Sequence, residues 1–322
     1  MSAEAPTIPP RDHRGHKGTF GTVVVVGGCA IPATRMVGAP ALAALGALRA
    51  GAGLVKLACP SSVLDGAMAL CPSATGIALA NDADGNLIAH EAAQSLDAIV
   101  NDLAGRPGAI VIGPGLGHGD GPRAAALRLA QQQEVPIIID ADALNALAEI
   151  PELFRDFHAR AILTPHPGEF KRLAASLRIT HDPINPGTRE AAAIALAQRL
   201  GCVVVLKGHA TVVTDGLNTW TCTRGHACLA TAGTGDVLTG IIAALVAQFV
   251  PTSIATMHPK APPDPTRLTL MQAARAAVQA HALAGEAWSN SRAAAAGMLA
   301  TELADLLPQA LESLRQPANV SA

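Results

Sequence analysis

The chain carries a series of short apolar runs at 22–26, 54–58, 109–112, 136–139, 161–163 and 203–206, interrupted inside a run only by Lys56. A strand with one wet face alternates apolar and polar residues. An unbroken run must be buried on both faces, which a parallel sheet covered by helices achieves. Ala- and Leu-rich segments of helical length lie among the runs, at 39–50, 121–133, 167–177 and 189–200. This alternation predicts βαβ units and an α/β/α sandwich with a mostly parallel central sheet. The stretches 211–213 and 219–222 flank Asp215-Gly216 and predict an antiparallel hairpin. Two more helices are expected at 235–249 and 269–287, joined by a Pro-rich segment at 251–267 that reads as an exposed insertion. With no repeat and no inter-domain linker, the expectation is a single domain over 17–316, an N-terminal extension over 1–16 and a tail over 317–322.

Composition narrows the function. Half of the 322 residues are apolar and 15% are charged, which excludes a disordered chain. With five Phe, two Trp and no Tyr, the core must be built from Ala, Val, Leu and Ile. A net charge of −2 leaves no basic footprint for nucleic acid, and few rings are present to stack on bases. Six cysteines (Cys29, Cys59, Cys71, Cys202, Cys222 and Cys228) form no CxxC pair and read as free thiols in a reducing compartment. The first 18 residues contain no apolar signal core. The longest apolar stretch, 237–250, falls short of the roughly 18–20 residues that span a bilayer. The expectation is a cytoplasmic protein with no membrane partner.

In an open parallel sheet, ligands bind beyond the carboxyl ends of the strands. Five runs end in polar or Gly-rich loops: Gly27-Gly28-Cys29, Gly113-Pro114-Gly115-Leu116-Gly117, Asp140-Ala141-Asp142, Thr164-Pro165-His166-Pro167-Gly168-Glu169 and Lys207-Gly208-His209-Ala210-Thr211. Five such loops on one edge mark a site. The sharpest element is TAGTGDVLTG at 231–240, a Gly-x-Gly turn opening a helix with Asp236 in its first turn. Helix N-terminal amides bind anions, and glycines let phosphate oxygens approach. Simple capping by Thr234 or Asp236 would explain those residues but not both flanking glycines. The GxxxxGK[ST] pattern is absent, and the third glycine of a dinucleotide fingerprint after Gly113 and Gly115 would fall on His118.

GTGDVLTG opening a helix resembles the anion hole and acidic base of the ribokinase-like superfamily. The ordered set KGTFG (17–21), GAPALAALGALRAGAGLVKL (38–57), VIGPGLG (111–117), PIIIDADALN (136–145), LTPHPGEF (163–170), VVVLKG (203–208) and TAGTGDVLTGII (231–242) more closely resembles NAD(P)H-hydrate dehydratases. That family repairs NADH or NADPH to which water has added at the nicotinamide ring. The resemblance implies a ribokinase-like three-layer fold and a catalytic Asp236 beside the hydrated ring. It implies an anion hole at Ala232, Gly233, Thr234 and Gly235. It places Lys207, Gly208, His209, Ala210, Thr211 and Gly235 at an adenine nucleotide. Ala39, Gly117 and His166, with Asp236, match positions that contact the damaged dinucleotide. Asn145 and Glu169 lie in matching motifs as candidates for phosphate or magnesium, although a first-turn glutamate also suits a helix dipole by itself.

By the same resemblance the expected reaction phosphorylates the ring hydroxyl with ADP, ATP being the other donor, and then eliminates phosphate to give NAD(P)H and AMP, with Mg2+ as cofactor. A homotetramer is expected, as is a functional link to a separate epimerase, because many family members carry an upstream epimerase domain and about 16 residues precede KGTFG here. Two alternatives stay open: a kinase of the same fold acting on a vitamin precursor or sugar, and a non-catalytic adenine-nucleotide sensor. LTPHPGEF and IDADALN favour the dehydratase over the kinase, and an intact Asp236 disfavours the sensor.

Overall fold

The computed structural model describes residues 6–252, 264 and 266–315. Six parallel strands lie where the apolar runs stand: β1 (Thr22–Val26), β4 (Leu54–Pro60), β6 (Gly108–Ile112), β7 (Ile137–Ile139), β8 (Ala161–Leu163) and β9 (Val203–Leu206). The hairpin is formed by β10 (Val212–Thr214) and β11 (Thr219–Thr221), antiparallel to each other and to β9. At its turn the Asp215 carboxylate accepts from the amides of Leu217 and Asn218 at 2.9 and 2.7 Å. Three strands were not expected. β2 (Cys29–Ile31) and β3 (Thr34–Met36) form a small separate hairpin, and β5 (Thr75–Leu79) is an edge strand. The edge strand's side chains are mostly solvent-facing, so the sequence shows no apolar run there.

The sheet runs β11-β10-β9-β8-β7-β6-β1-β4-β5. After β1 the chain builds outward through β4 and β5, then returns to the other side of β1 at β6. That reversal opens a crevice at the carboxyl ends of β1 and β6, the place where such sheets take ligands. Alternate residues of each central strand feed opposite cores. Val23, Val25, Val111, Ile138 and Val205 enter one; Val24, Val26, Ile112, Ile139 and Leu206 enter the other. The first core is closed by α1 (Gly38–Arg49), α2 (Ser61–Leu70), α8 (Thr234–Phe249), α9 (Leu270–Arg292) and α10 (Ala300–Glu312). The second is closed by α3 (Ala89–Leu103), α4 (Asp120–Ala130), α5 (Ala141–Ala148), α6 (Pro167–Leu177) and α7 (Arg189–Leu200). This is a three-layer α/β/α sandwich.

α8 reaches the sheet edge because α1 lets it come close. A Cβ on Gly240 would stand 2.0 Å from Ala43 O, and one on Gly46 2.5 Å from Val237 O. Only glycine permits that approach, and it fixes where the first turn of α8 points. In the N-terminal extension, Ile8 is buried and its amide donates to Leu314 O at 2.9 Å, so this segment is tied to the end of α10. Most of the expected Pro-rich insertion and the 317–322 tail lie outside the described residues. No helix among the described residues is long and apolar enough to cross a membrane.

Candidate active site

At the carboxyl edge of the sheet, four charged side chains from four elements converge. Asp140 follows β7, Lys207 follows β9, Glu169 sits in the first turn of α6 and Asp236 in the first turn of α8. Lys207 Nζ lies 2.7 Å from Asp140 Oδ1 and 3.8 Å from Glu169 Oε2. The Asp140 carboxylate, 2% exposed, also accepts from Thr164 Oγ1 at 2.7 Å and, through its other oxygen, from Thr239 Oγ1 at 2.9 Å. Burying a carboxylate this deeply is costly without partners, and here an ammonium and two hydroxyls supply them.

One ammonium faces three carboxylates, and the imbalance favours protonation of the acids. Burial first, then the Asp140 charge, pushes Asp236 up to about 7, with Lys207 opposing. Burial likewise pushes Glu169 up to about 7 against the pull of Lys207. For Lys207 burial is the largest influence and favours the neutral amine, but the surrounding carboxylates together hold it above its ordinary value. Two acids poised near neutrality beside a fixed cation are suited to moving a proton.

Asp236 stands at an anion cradle. Gly233 precedes α8 with φ +89°, and no side chain caps the helix. Thr234 Oγ1 instead donates back to Leu229 O and Thr231 O, both at 2.8 Å, which pins the loop. Capping therefore does not account for Thr234 or Asp236. The amides of Gly235 and Asp236 have no acceptor among the described residues. They face outward with the positive end of the helix dipole behind them. Beneath the turn, His281 Nε2 lies 3.0 Å from Thr234 O, and burial pushes its pKa down to about 4, keeping it neutral.

The remaining expected residues frame this centre. His166 is the N-cap of α6. Its Nδ1 accepts from the amides of Gly168 and Glu169 at 2.9 and 3.4 Å, while Glu169 Oε2 accepts from the His166 amide at 2.7 Å. His166 Nε2 lies 3.3 Å from Glu169 Oε1, and the side chain is still 52% exposed. The histidine is thus both a structural cap and a wall of the site. Gly117 donates its amide to Asp142 Oδ2 at 2.9 Å. Asp142 opens onto a cavity of about 460 Å³ lined also by His118, Asn145, Ala148, Glu149 and Arg172. Asn145 Oδ1 accepts from Arg172 at 3.0 Å in this cavity, whereas Glu169 belongs to the ionic centre, so the two residues paired in the sequence reading part company. Ala39 opens α1 against the loop after β6, near Gly115. In the loop after β9, Thr211 Oγ1 donates to Gly208 O at 3.0 Å, and Lys207 N donates to Pro165 O at 2.9 Å.

Asp140, Thr164, Thr239, Arg189 and His281 also shape the site, although none is among the site residues expected from the sequence. Asp140 and Thr164 carried a readable signal, a polar residue directly after an all-apolar strand. Thr239 stands three residues after Asp236, on the same helical face. Arg189 and His281 lie on helices remote in sequence and carried no signal. Among the described residues, no three His, Cys, Asp or Glu side chains form a metal cage.

Residues 23–309 match a family model described as NAD(P)H-hydrate dehydratase. The chain is 34% identical over 311 residues to the bifunctional NAD(P)H-hydrate repair enzyme of Moorella thermoacetica, an alignment covering 96% of this chain and 52% of that one. It spans about half the length of the curated relatives it matches first. Among solved structures it resembles the ADP/ATP-dependent NAD(P)H-hydrate dehydratase of Bacillus subtilis co-crystallised with ATP and Mg2+. The TM-score is 0.69 at 30% identity, covering 96% and 95% of the two chains. A ribokinase-like superfamily protein of Enterococcus faecalis gives a TM-score of 0.69 at 25% identity, covering 97% and 93%. The sandwich is ribokinase-like.

Proposed function

The chain belongs to the NAD(P)H-hydrate dehydratase family, and from that premise we propose that it restores hydrated NADH and NADPH by nucleotide-dependent dehydration. The observation that carries the reading is Asp236, a half-buried carboxylate poised near neutrality at the mouth of an amide cradle and within the field of Lys207. Hydroxide is a poor leaving group, so the ring hydroxyl is first made a phosphate ester. Asp236 takes the hydroxyl proton as that oxygen attacks the terminal phosphorus of the nucleotide and the bond to the departing nucleotide breaks. The Ala232–Gly235 turn holds the negative charge on the transferred group. The ring nitrogen lone pair then expels phosphate and the double bond is restored. With ADP the products are AMP, phosphate and NAD(P)H.

In this reading Lys207, Gly208, His209, Ala210, Thr211 and Gly235 hold the nucleotide, and Ala39, Gly117 and His166 hold the dinucleotide with Asp236. Glu169 supports His166 and Lys207, and Asn145 serves the side cavity. The donor set fits a magnesium ion carried in on nucleotide phosphates: Mg2+ uses one or two carboxylates with phosphate oxygens and water, and the site has excess negative charge but no protein cage. Such an ion would neutralise charge on the transferring phosphoryl group. ADP is the proposed donor, with ATP as the other candidate, since the Bacillus subtilis dehydratase is ADP/ATP-dependent. We further propose a single catalytic domain over 17–316, a cytoplasmic homotetramer and a functional link to an epimerase. The relatives that this chain matches over about half their length are bifunctional repair enzymes, which supports the last of these.

The test is a recovery assay with NADH hydrate, Mg2+ and either ADP or ATP, following the return of reduced-nicotinamide absorbance. Recovery with ADP supports the reading and the donor; recovery with ATP alone keeps the reaction and overturns the donor. No recovery, with a stable phosphorylated alcohol formed instead, moves the protein to the kinase reading. Nucleotide binding with neither product leaves the sensor.

A further inference from the structure

Arg189, at the start of α7, is 8% exposed and faces no carboxylate among the described residues. Its guanidinium is spent on main-chain carbonyls. Nη2 donates to Leu206 O and Lys207 O, both at 2.8 Å, Nε donates to Ala210 O at 3.4 Å, and Nη1 donates to Pro183 O at 2.6 Å. Three of these four carbonyls belong to the end of β9 and the loop that follows it. That loop is not relaxed: Ala210 has φ +56° and Gly208 φ +141°. Left-handed backbone at a residue with a Cβ costs energy and persists only where its surroundings enforce it.

A trans peptide unit is planar, with its C=O and N–H pointing in opposite directions. Drawing the Lys207 carbonyl onto Arg189 therefore turns the Gly208 amide away from α7. Drawing the Ala210 carbonyl in does the same for the Thr211 amide. Neither amide has an acceptor among the described residues. The Lys207 amide, in the peptide unit whose carbonyl is Leu206 O, also points away and donates to Pro165 O. Gly208 is exposed and Thr211 half-buried, so both amides are open to a ligand arriving from solvent.

We propose that Arg189 is a positioning residue that presets the loop after β9 as a nucleotide cradle, turning the Gly208 and Thr211 amides toward an anionic or hydroxyl-bearing part of an adenine nucleotide. This rests on the nucleotide-dependent reading above for the identity of the ligand. Arg189 touches neither substrate nor reacting atoms; it acts through the loop, and its buried positive charge adds a field of the sign that a polyphosphate prefers. Lysine could not replace it, since one ammonium on a flexible stem cannot hold three loop carbonyls in a planar fork.

The experiment uses the full-length protein with Arg189→Lys and Arg189→Gln. Direct calorimetric binding of ADP and of ATP is measured alongside steady-state kinetics and thermal melting. The expected result is nucleotide binding and nucleotide KM weakened at least tenfold in both variants. The KM for NADH hydrate should stay within about twofold, and kcat at saturating nucleotide within a few-fold. Unchanged nucleotide affinity, or equal losses for both substrates, overturns the proposal, as does a drop in melting temperature with no change in affinity. Should the variants not fold, hydrogen exchange on the wild-type protein decides. Slowed exchange of the Gly208 and Thr211 amides on saturation with ADP supports the assignment, and unslowed exchange overturns it. Wild-type protein that binds nucleotide yet restores no NADH hydrate would sink the dehydratase reading while leaving this one standing.

Discussion

The Lys207 ammonium stands 2.7 Å from Asp140 Oδ1, a contact between two strand ends that β8 separates in the sheet. Thr239 secures the other oxygen of Asp140 from α8, three residues beyond Asp236. The pair is thus the link through which the sheet edge and the anion-cradle helix share one charge system. Replacing Lys207 by Met leaves Asp140 buried without its cation. A loss of about 3–5 kcal/mol in denaturant unfolding is expected. Because Lys207 now opposes the rise in the Asp236 pKa, its removal should also move the acidic limb of kcat/KM to higher pH. An unmoved limb would detach Lys207 from the base.

Asp236 acts in its ionised form, so kcat/KM should climb through pH 7 and level off above it. Asp236→Asn should lower kcat by about 10²–10⁴ and abolish that limb. Near-normal turnover of this variant would remove the carboxylate from the mechanism.

The same group affects stability in a defined direction. Its folded pKa, about 7, lies above its ordinary 3.8, so the folded state binds the extra proton between those values. Stability from this group is full below about pH 4 and is lost as pH rises toward 7. Asp236→Asn removes the penalty of ionisation, so the nucleotide-free variant should melt higher than wild type at pH 8. A gain on the order of 2 kcal/mol, or several degrees, is expected there, shrinking toward pH 4. Melting curves at pH 4.5 and 8 check it, and an equal difference at both would contradict the raised pKa of this acid.

Two neighbouring glycines should separate binding from folding. A Cβ on Gly235 would meet only Lys207 Nζ, at 3.6 Å, whereas one on Gly233 would stand 2.6 Å from Leu42 Cδ1 on a backbone at φ +89°. Gly235→Ala should keep its melting temperature and raise the nucleotide KM at least tenfold. Gly233→Ala should lose about 1–2 kcal/mol of stability as well. Calorimetric binding with melting curves distinguishes them.

Thr239→Val keeps the shape of α8 and strips a donor from a buried carboxylate. The expected cost is about 1.5–3 kcal/mol, read by urea unfolding. A neutral result would mean that Asp140 finds another donor.

The strongest elements were readable because their burial is written into composition. The runs at 22–26, 161–163 and 203–206 and the helices at 167–177 and 189–200 coincide with observed elements to the residue. Edge strand β5 and the β2–β3 hairpin were not readable, since β5 and β3 expose most of their side chains and β2 is only three residues long. Within the site, Asp236, Lys207 and the glycines of the α8 turn announce themselves by local pattern. Arg189 does not: in sequence it is one charge among many at a helix start, and only the fold shows it buried against three carbonyls of one loop.

The sequence by itself determined the layers, the parallel sheet and the set of loops at its carboxyl edge, because burial on two faces demands unbroken apolar runs and an anion cradle demands glycine beside a helix start. Only the tertiary structure decided which charges meet. Asp140, Glu169, Lys207 and Asp236 are as many as 96 residues apart along the chain, and their pairing follows from sheet order, from the close approach of α8 to α1, and from the cost of leaving a buried charge or amide without a partner.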